Sequence, residues 1–332
     1  MGSARNVVDY TRFDTALSLS SDSPTTPPSA TIAHPRRQHR LLAYGALVVA
    51  VLGISWSAVL IRWSGVPGPS SAFYRVFIAA LVLGPVWTAA LAMSPQRRQR
   101  LRSGGTRAAA LAVLGGAFFG LDLALYNTAV MMTTAAEATL FGNNAPIFVG
   151  LGTWLFFRRR PKRTFWIGLA LASAGAAAVM IAGLAGPTNR GSMSGNFLAL
   201  AASTFFAAYL LTTEHVRGAL DTLSFSTLAI AGSVVTLLIV CLALGVPLGG
   251  FSRTTWAALL GLGLISQLAA YFALVHALGH LPATVTSVGL LAQLPLTALL
   301  AVPLLGEPLH AGQAAGAALV LAGIYIVNRG SS

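Results

Sequence analysis

Residues 144–175 read NAPIFVGLGTWLFFRRRPKRTFWIGLALASAG, and residues 293–323 read QLPLTALLAVPLLGEPLHAGQAAGAALVLAG. Each is an apolar run with a proline near its middle, then a short polar joint, then a second apolar run with glycines seven residues apart. Pro146 aligns with Pro295 and, with one residue of slack, Gly168 aligns with Gly316 and Gly175 with Gly323. A repeated apolar unit of this kind marks a secondary transporter, in which two related halves move about a shared site.

Composition says where the repeat resides. Of the 332 residues 55% are hydrophobic and 9% charged, against about 25% charged in soluble domains, and mean hydropathy is +0.74. The apolar residues fall in blocks of about 20, the length that crosses hydrocarbon as helix. Ten are predicted: 41–62, 69–93, 108–131, 134–157, 164–184, 195–213, 223–245, 256–278, 283–305 and 311–328. The reading is an all-α integral membrane protein of ten transmembrane helices.

The net charge of +13 does not indicate a nucleic-acid partner, because the basic residues are segregated. With the N-terminus cytoplasmic, that face holds Arg5, Arg12, Arg36, Arg37, Arg40, Arg97, Arg98, Arg100, Arg102, Arg107, Arg158, Arg159, Arg160, Lys162, Arg163, Arg217 and Arg329. Only Arg62, Arg75, Arg190 and Arg253 fall at the other face or inside. This is the positive-inside bias, and it predicts a cell-membrane protein with both termini cytoplasmic. Residues 1–40 are polar, carry no signal-peptide core and are expected to be a disordered cytoplasmic tail. Cys241 is the single cysteine, so no intrachain disulfide or cysteine metal site is expected.

Residues 41–184 then form one five-span unit and 195–328 the other. An odd number of crossings per unit inverts the second unit relative to the first. The joints agree: RRRPKR after span 4 falls on the cytoplasmic side, and its counterpart GEPLH after span 9 falls outside.

The ordered motifs GISWSAVLIRW (53–63), AFYRVFIAALVL (72–83) and LDLALYNTAVMMTTAAEATLFGNNAPIFVGL (121–151) make up the first copy. SGNFLALAASTFFAAYLL (194–211) and SQLAAYFALVHALGHLPATVTSVGLLAQLPLTALLAVPLLGEPL (266–309) make up the second. In these the chain resembles the EamA family of the drug/metabolite transporter superfamily, over about 41–328. The first copy departs from the pattern where Phe157-Arg158 replaces the Gly-Glu of the second. The resemblance implies two EamA repeats and movement of small metabolites through a central cavity by alternating access. We expect an exporter of an amino acid or a related amphipathic compound.

Polar residues inside apolar spans are the site candidates, because burying them in hydrocarbon is costly. Asp122 sits near the middle of span 3, and Tyr126 follows on the same helical face. Asp122 reads either as a proton- or cation-binding carboxylate or as a buried structural one. Glu137, one turn inside span 4, reads either as a coupling carboxylate or as a helix-terminal charge favoured by the dipole. Asn143 and Asn144 follow near mid-membrane, at least one of them expected to face a cavity. Gln267 and Tyr271 lie one turn apart in span 8, and Gln293 lies near the centre of span 9, so spans 3, 4, 8 and 9 suggest one midplane site. Pro146 and Pro295 are hinge candidates. Arg75 could attract a carboxylate or phosphate, but is expected to snorkel to the interface. Trp56 and Tyr209 could stack on a substrate or simply pack. The small-residue faces of spans 5 and 10 read as packing surfaces, or as a homodimer contact.

Asp122 and Glu137 are the candidates for proton coupling. No GxxxxGK[ST] is present, and no cofactor or metal is expected. The alternative is a polytopic membrane enzyme acting on a lipid-soluble substrate. The histidines do not favour it: none forms HExxH, and His276 and His280, four residues apart, have no carboxylate nearby in sequence. A channel would want symmetric rings of charge or carbonyls, which one chain with inverted halves does not supply.

Overall fold

A chain segment in hydrocarbon must satisfy its own backbone hydrogen bonds, which favours helix for each apolar run. The computed structural model describes residues 35–102, 105–132, 141–182, 192–296, 299–300 and 311–331, and these contain helices and no strand. In chain order the helices are α1 (Pro35–Ser55), α2 (Ser57–Ser64), α3 (Gly68–Met93), α4 (Pro95–Arg102), α5 (Gly105–Met132), α6 (Ala145–Phe157) and α7 (Arg163–Ala182). They continue with α8 (Met193–Val216), α9 (Thr222–Ala243), α10 (Arg253–Gly261), α11 (Ala270–Leu278), α12 (Ala283–Gly289) and α13 (Ala311–Ser331).

Seven segments are long and apolar enough to cross a membrane: Arg40–Ile61, Gly68–Met93, Gly105–Ala129, Met193–Val216, Thr222–Ala243, Arg253–Leu278 and Ala311–Gly330. They coincide with predicted spans 1, 2, 3, 6, 7, 8 and 10. The stretches read as spans 4, 5 and 9 appear as the shorter apolar helices Ala145–Phe157, Arg163–Val179 and Ala283–Leu296. Glu137 and the 1–34 part of the tail lie outside the described residues. Large apolar side chains such as Leu41, Met93, Phe156, Phe197 and Leu242 point outward, as hydrocarbon solvent requires.

Several spans are interrupted. The first turns at Trp56, between α1 and α2. Asn143 and Asn144 form a turn just before α6, and Pro146 stands in the first turn of that helix. Proline is tolerated there because its missing N–H would have no intrahelical partner. Pro146 therefore sits at a helix break rather than kinking a continuous helix. In span 8, α10 and α11 are joined by a π-helical stretch, Leu262–Ala269. In span 9 a short 3-10 stretch, Leu290–Ala292, precedes Pro295. Departures of this kind often mark functional positions in helices.

Polar ties gather the loops into two ends. At one end Arg97 pairs with Asp221 at 3.4 Å, and Lys162 Nζ donates to the Gly330 carbonyl at 2.7 Å. The Ala283 amide donates to Glu214 Oε2 at 2.9 Å. The Arg217 guanidinium donates to the Val275 carbonyl at 3.2 Å and Thr222 Oγ1 at 2.8 Å, and also to the Leu220 carbonyl. Burial lowers the Arg217 pKa from its ordinary value, against the opposing pull of Asp221, and an arginine so placed keeps its charge. At the other end Ser70 Oγ donates to the Pro247 carbonyl at 2.7 Å, and Tyr74 donates to the Leu248 carbonyl.

Lipid gives helices no hydrophobic reason to associate, so close packing through small residues takes over. A Cβ added at Gly168 would lie 2.6 Å from the Gly323 carbonyl oxygen, and one at Gly175 would lie 2.6 Å from that of Gly316. The helices α7 and α13 thus cross antiparallel, backbone on backbone, and their small-residue faces cover each other. Gly116 meets the Ala229 carbonyl and Gly232 that of Val113, which brings α5 onto α9. Ser233 Oγ donates to the Gly116 carbonyl at 2.7 Å across the same crossing.

Candidate functional site

Arg75 lies two turns into α3 and is only 5% exposed. It does not snorkel, contrary to the sequence expectation. The π-helical stretch of span 8 supplies the reason, because it presents Gln267 to the guanidinium: Arg75 Nε donates to Gln267 Oε1 at 2.9 Å. One turn further along, the Tyr271 ring lies under the guanidinium, 5.2 Å from Cζ to centroid. A hydrogen bond and a cation–π contact together replace part of the lost hydration. Arg75 Nη2 is buried and has no hydrogen-bond partner among the described residues.

Asp122 and Tyr126, on α5, lie within electrostatic reach of Arg75. Among the described residues Asp122 and Arg75 form no ion pair. The guanidinium is oriented by a neutral amide and an aromatic face, and among the described residues no carboxylate forms an ion pair with it.

Aromatic rings extend the site toward α8. Phe119 lies 4.6 Å from the Tyr271 ring and 4.9 Å from the Tyr209 ring, and Phe206 lies 6.2 Å from Tyr209, measured between centroids. Between Phe119, Tyr209, Ser226, Gln267, Tyr271 and Phe272 is a void of about 10 Å³, room for about one water. Ser226 Oγ on its edge is buried without a partner among the described residues.

Of the residues singled out from sequence, the structure therefore brings together Arg75, Asp122, Tyr126, Tyr209, Gln267 and Tyr271. A second group forms at the helix breaks of spans 1, 4 and 9. Gln293 Nε2 donates to Asn143 Oδ1 at 2.9 Å, and Ser55 Oγ reaches the Gln293 carbonyl at 3.4 Å. Asn144 Nδ2 donates to the Phe141 carbonyl of its own turn at 2.9 Å. Trp56 packs against the cluster of Leu60, Ile78, Leu259 and Leu262. Phe119 and Ser226 were missed from sequence, because a Phe or a Ser in an apolar span looks the same whether it lines a site or packs.

The family model described as the EamA-like transporter family matches residues 41–181 and again 193–329. The chain belongs to that family. An uncharacterized transporter of Bacillus subtilis (strain 168), YwfM, is 30% identical over 207 residues, covering 61% of this chain and 68% of its own. A crystal structure of a protein 17% identical superposes with a TM-score of 0.68, over 89% of this chain and 98% of that one; at that identity the likeness speaks to fold alone. Together with the apolar helices, these findings make the chain a multi-pass membrane protein of a transporter family, and they point to transport rather than catalysis.

Proposed function

We propose that this member of the EamA-like transporter family is a secondary active transporter of a small metabolite, working by alternating access around the Arg75 site. The observation that carries the reading is a buried guanidinium, held by Gln267 and Tyr271, with one nitrogen unpartnered among the described residues and Asp122 within electrostatic reach. A charge kept in hydrocarbon without a fixed counter-ion is expensive, and such residues mark substrate or ion pathways. The site draws on α3 and α5 from the first repeat and on α8 and α11 from the second, as a site between two moving halves should.

The ten-span, inverted-repeat topology belongs to the same proposal. Gly168 and Gly175 of the first copy meet Gly323 and Gly316 of the second, crosswise. A two-fold relation between halves produces such reciprocity. The loop ties agree, since they join the loops after spans 2 and 6 at one end and the start of span 2 to the loop after span 7 at the other. Both termini are then cytoplasmic, in the cell membrane, on the arginine distribution. Asp122 is the coupling carboxylate of this reading among the described residues, with Glu137 the second candidate. The resemblance allows export or uptake, and export is the direction of this proposal.

Solute counterflow in proteoliposomes tests it. A broad metabolite panel, with and without an imposed pH gradient, should show saturable exchange of at least one compound. Asp122→Asn should remove the effect of the gradient, and the polarity of the gradient that drives accumulation gives the direction. Absence of exchange across the whole panel would contradict the transporter reading.

A further inference from the structure

We propose that the joint between α6 and α7, together with the end of α13, binds the headgroup of an anionic phospholipid. The site requires only that the chain spans a membrane, whatever it carries. Arg158, Arg159, Arg160, Lys162 and Arg163 come from the joint and Arg329 from α13, and all six are exposed. The fold brings them together. Lys162 Nζ donates to the Gly330 carbonyl at 2.7 Å, and a Cβ on Gly330 would fall against the Thr164 side chain, so the last turn of α13 lies on the first turn of α7. A Cβ on Gly150 would lie 2.6 Å from the Phe165 ring, which sets the start of α7 beside α6.

Carboxylates do not neutralise this cluster: among the described residues none of the six is in an ion pair. The arginines of α4 differ, since Arg97 pairs with Asp221 at 3.4 Å and Arg98 Nη2 donates to the Ala92 carbonyl at 2.9 Å. The chain does not need the charge in order to turn, because the counterpart joint of the second copy, GEPLH, has neither arginine nor lysine. Arg158 even takes the left-handed conformation, φ 52°, at the end of α6, a place that glycine fills at lower cost. The setting selects a lipid. Trp154, Leu155 and Phe156 at the end of α6, and Trp166 and Ile167 at the start of α7, are exposed, so acyl chains lie directly beside the cations. Arg160 Cζ is 5.8 Å from the centre of the Trp154 ring, and Arg329 Cζ is 5.2 Å from that of Tyr325. Such stacking holds a guanidinium at headgroup level, where aromatic belts sit, with its N–H edge able to meet a phosphate. On the proposed topology this end is cytoplasmic, the side on which basic clusters between spans take anionic headgroups. A free phosphate would meet the charge but leave the apolar side chains unused.

The test gives the full-length protein, in a neutral detergent, equal amounts of phosphatidylglycerol and phosphatidylcholine and counts retained lipid by native mass spectrometry. The expected result is retention of phosphatidylglycerol over phosphatidylcholine by about fivefold or more. Arg159→Gln, Arg160→Gln and Arg163→Gln together should bring the two lipids close to equal retention. Arg97→Gln, Arg98→Gln and Arg107→Gln together remove the same charge from elsewhere on the chain and should keep most of the preference. No preference in the wild type, or equal loss in both triple variants, would overturn the site. Photoactivatable phosphatidylglycerol on the wild-type protein needs no variant to fold. Its label should concentrate in residues 154–167 and 322–329, and an identical map from photoactivatable phosphatidylcholine would count against the site. Glycerol 3-phosphate at the same concentration should not displace the lipid; displacement would mark a free-phosphate site instead.

Discussion

Arg75 shows what a residue's depth alone conveys and what it does not. From sequence it is an arginine two turns from a span's start, close enough to the interface to snorkel. What holds it inside is tertiary: Gln267 and Tyr271 reach it from α10–α11, and their connection to it spans 192 residues of chain in the case of Gln267. Gln267, Tyr271, Asp122 and Tyr126 were legible as candidates because polar groups in apolar spans are costly, and i, i+4 spacing put each pair on one face. Their convergence on Arg75 was not legible, and neither was the pairing of Gln293 with Asn143. Gln267 acts through Arg75 and is a positioning residue. Gln267→Leu removes a hydrogen bond to a charged group, worth about 1.5–3 kcal/mol, so the half-saturating substrate concentration should rise by about ten- to a hundredfold. The maximal counterflow rate should change far less. Gln267→Glu should weaken binding at least as strongly, because a carboxylate there would pair with the guanidinium and neutralise it. Concentration series in proteoliposomes separate the two parameters. An unchanged half-saturation value in both variants would detach Gln267 from the site.

At the scale of elements, hydropathy located the helices well because the 20-residue run is a direct consequence of bilayer thickness. It could not show the breaks. The turn at Asn143–Asn144, the π-helical stretch Leu262–Ala269 and the 3-10 stretch Leu290–Ala292 are made of residues no less compatible with regular helix, and only Pro146 and Pro295 hinted at them. The glycine pattern was legible as a packing signal, but not its partners, which the structure identifies as α7 with α13 and α5 with α9. Gly116→Ala would drive a methyl into the Ala229 carbonyl, and overpacking of this kind costs about 1–3 kcal/mol, so the variant should melt earlier in detergent. Gly45→Ala, in α1 with nothing within 4 Å of the new Cβ, should instead hold or gain stability, by up to about 1 kcal/mol. Equal melting temperatures for the two variants would argue against the close crossing. The Glu214 carboxylate accepting the Ala283 amide ties α8 to the start of α12. Removing an N-terminal acceptor of this type costs about 1 kcal/mol. Glu214→Ala should therefore lower the melting temperature modestly and leave substrate half-saturation close to wild type.

For the whole molecule, the arginine distribution and the odd number of spans expected per repeat are the basis of the proposal of two opposed halves, since both follow from how charge and chain length meet a bilayer. The account predicts that the loops after spans 2 and 7 lie on opposite sides. With Cys241, the single cysteine, changed to alanine, a cysteine at the exposed position Arg98 should react with a membrane-impermeant thiol reagent only from the cytoplasmic side. One at exposed Ser252 should react only from outside, and labelling of both from one side would refute the topology. The central claim is that one buried site opens to each side in turn. Tyr126→Cys in the same background, beside Asp122 on α5, tests it most directly through reagent added to right-side-out and inside-out vesicles. The account predicts slow labelling from either side, with protection by a saturating transported compound in both orientations. Labelling confined to one side, or unaffected by any transported compound, would contradict alternating access at this site.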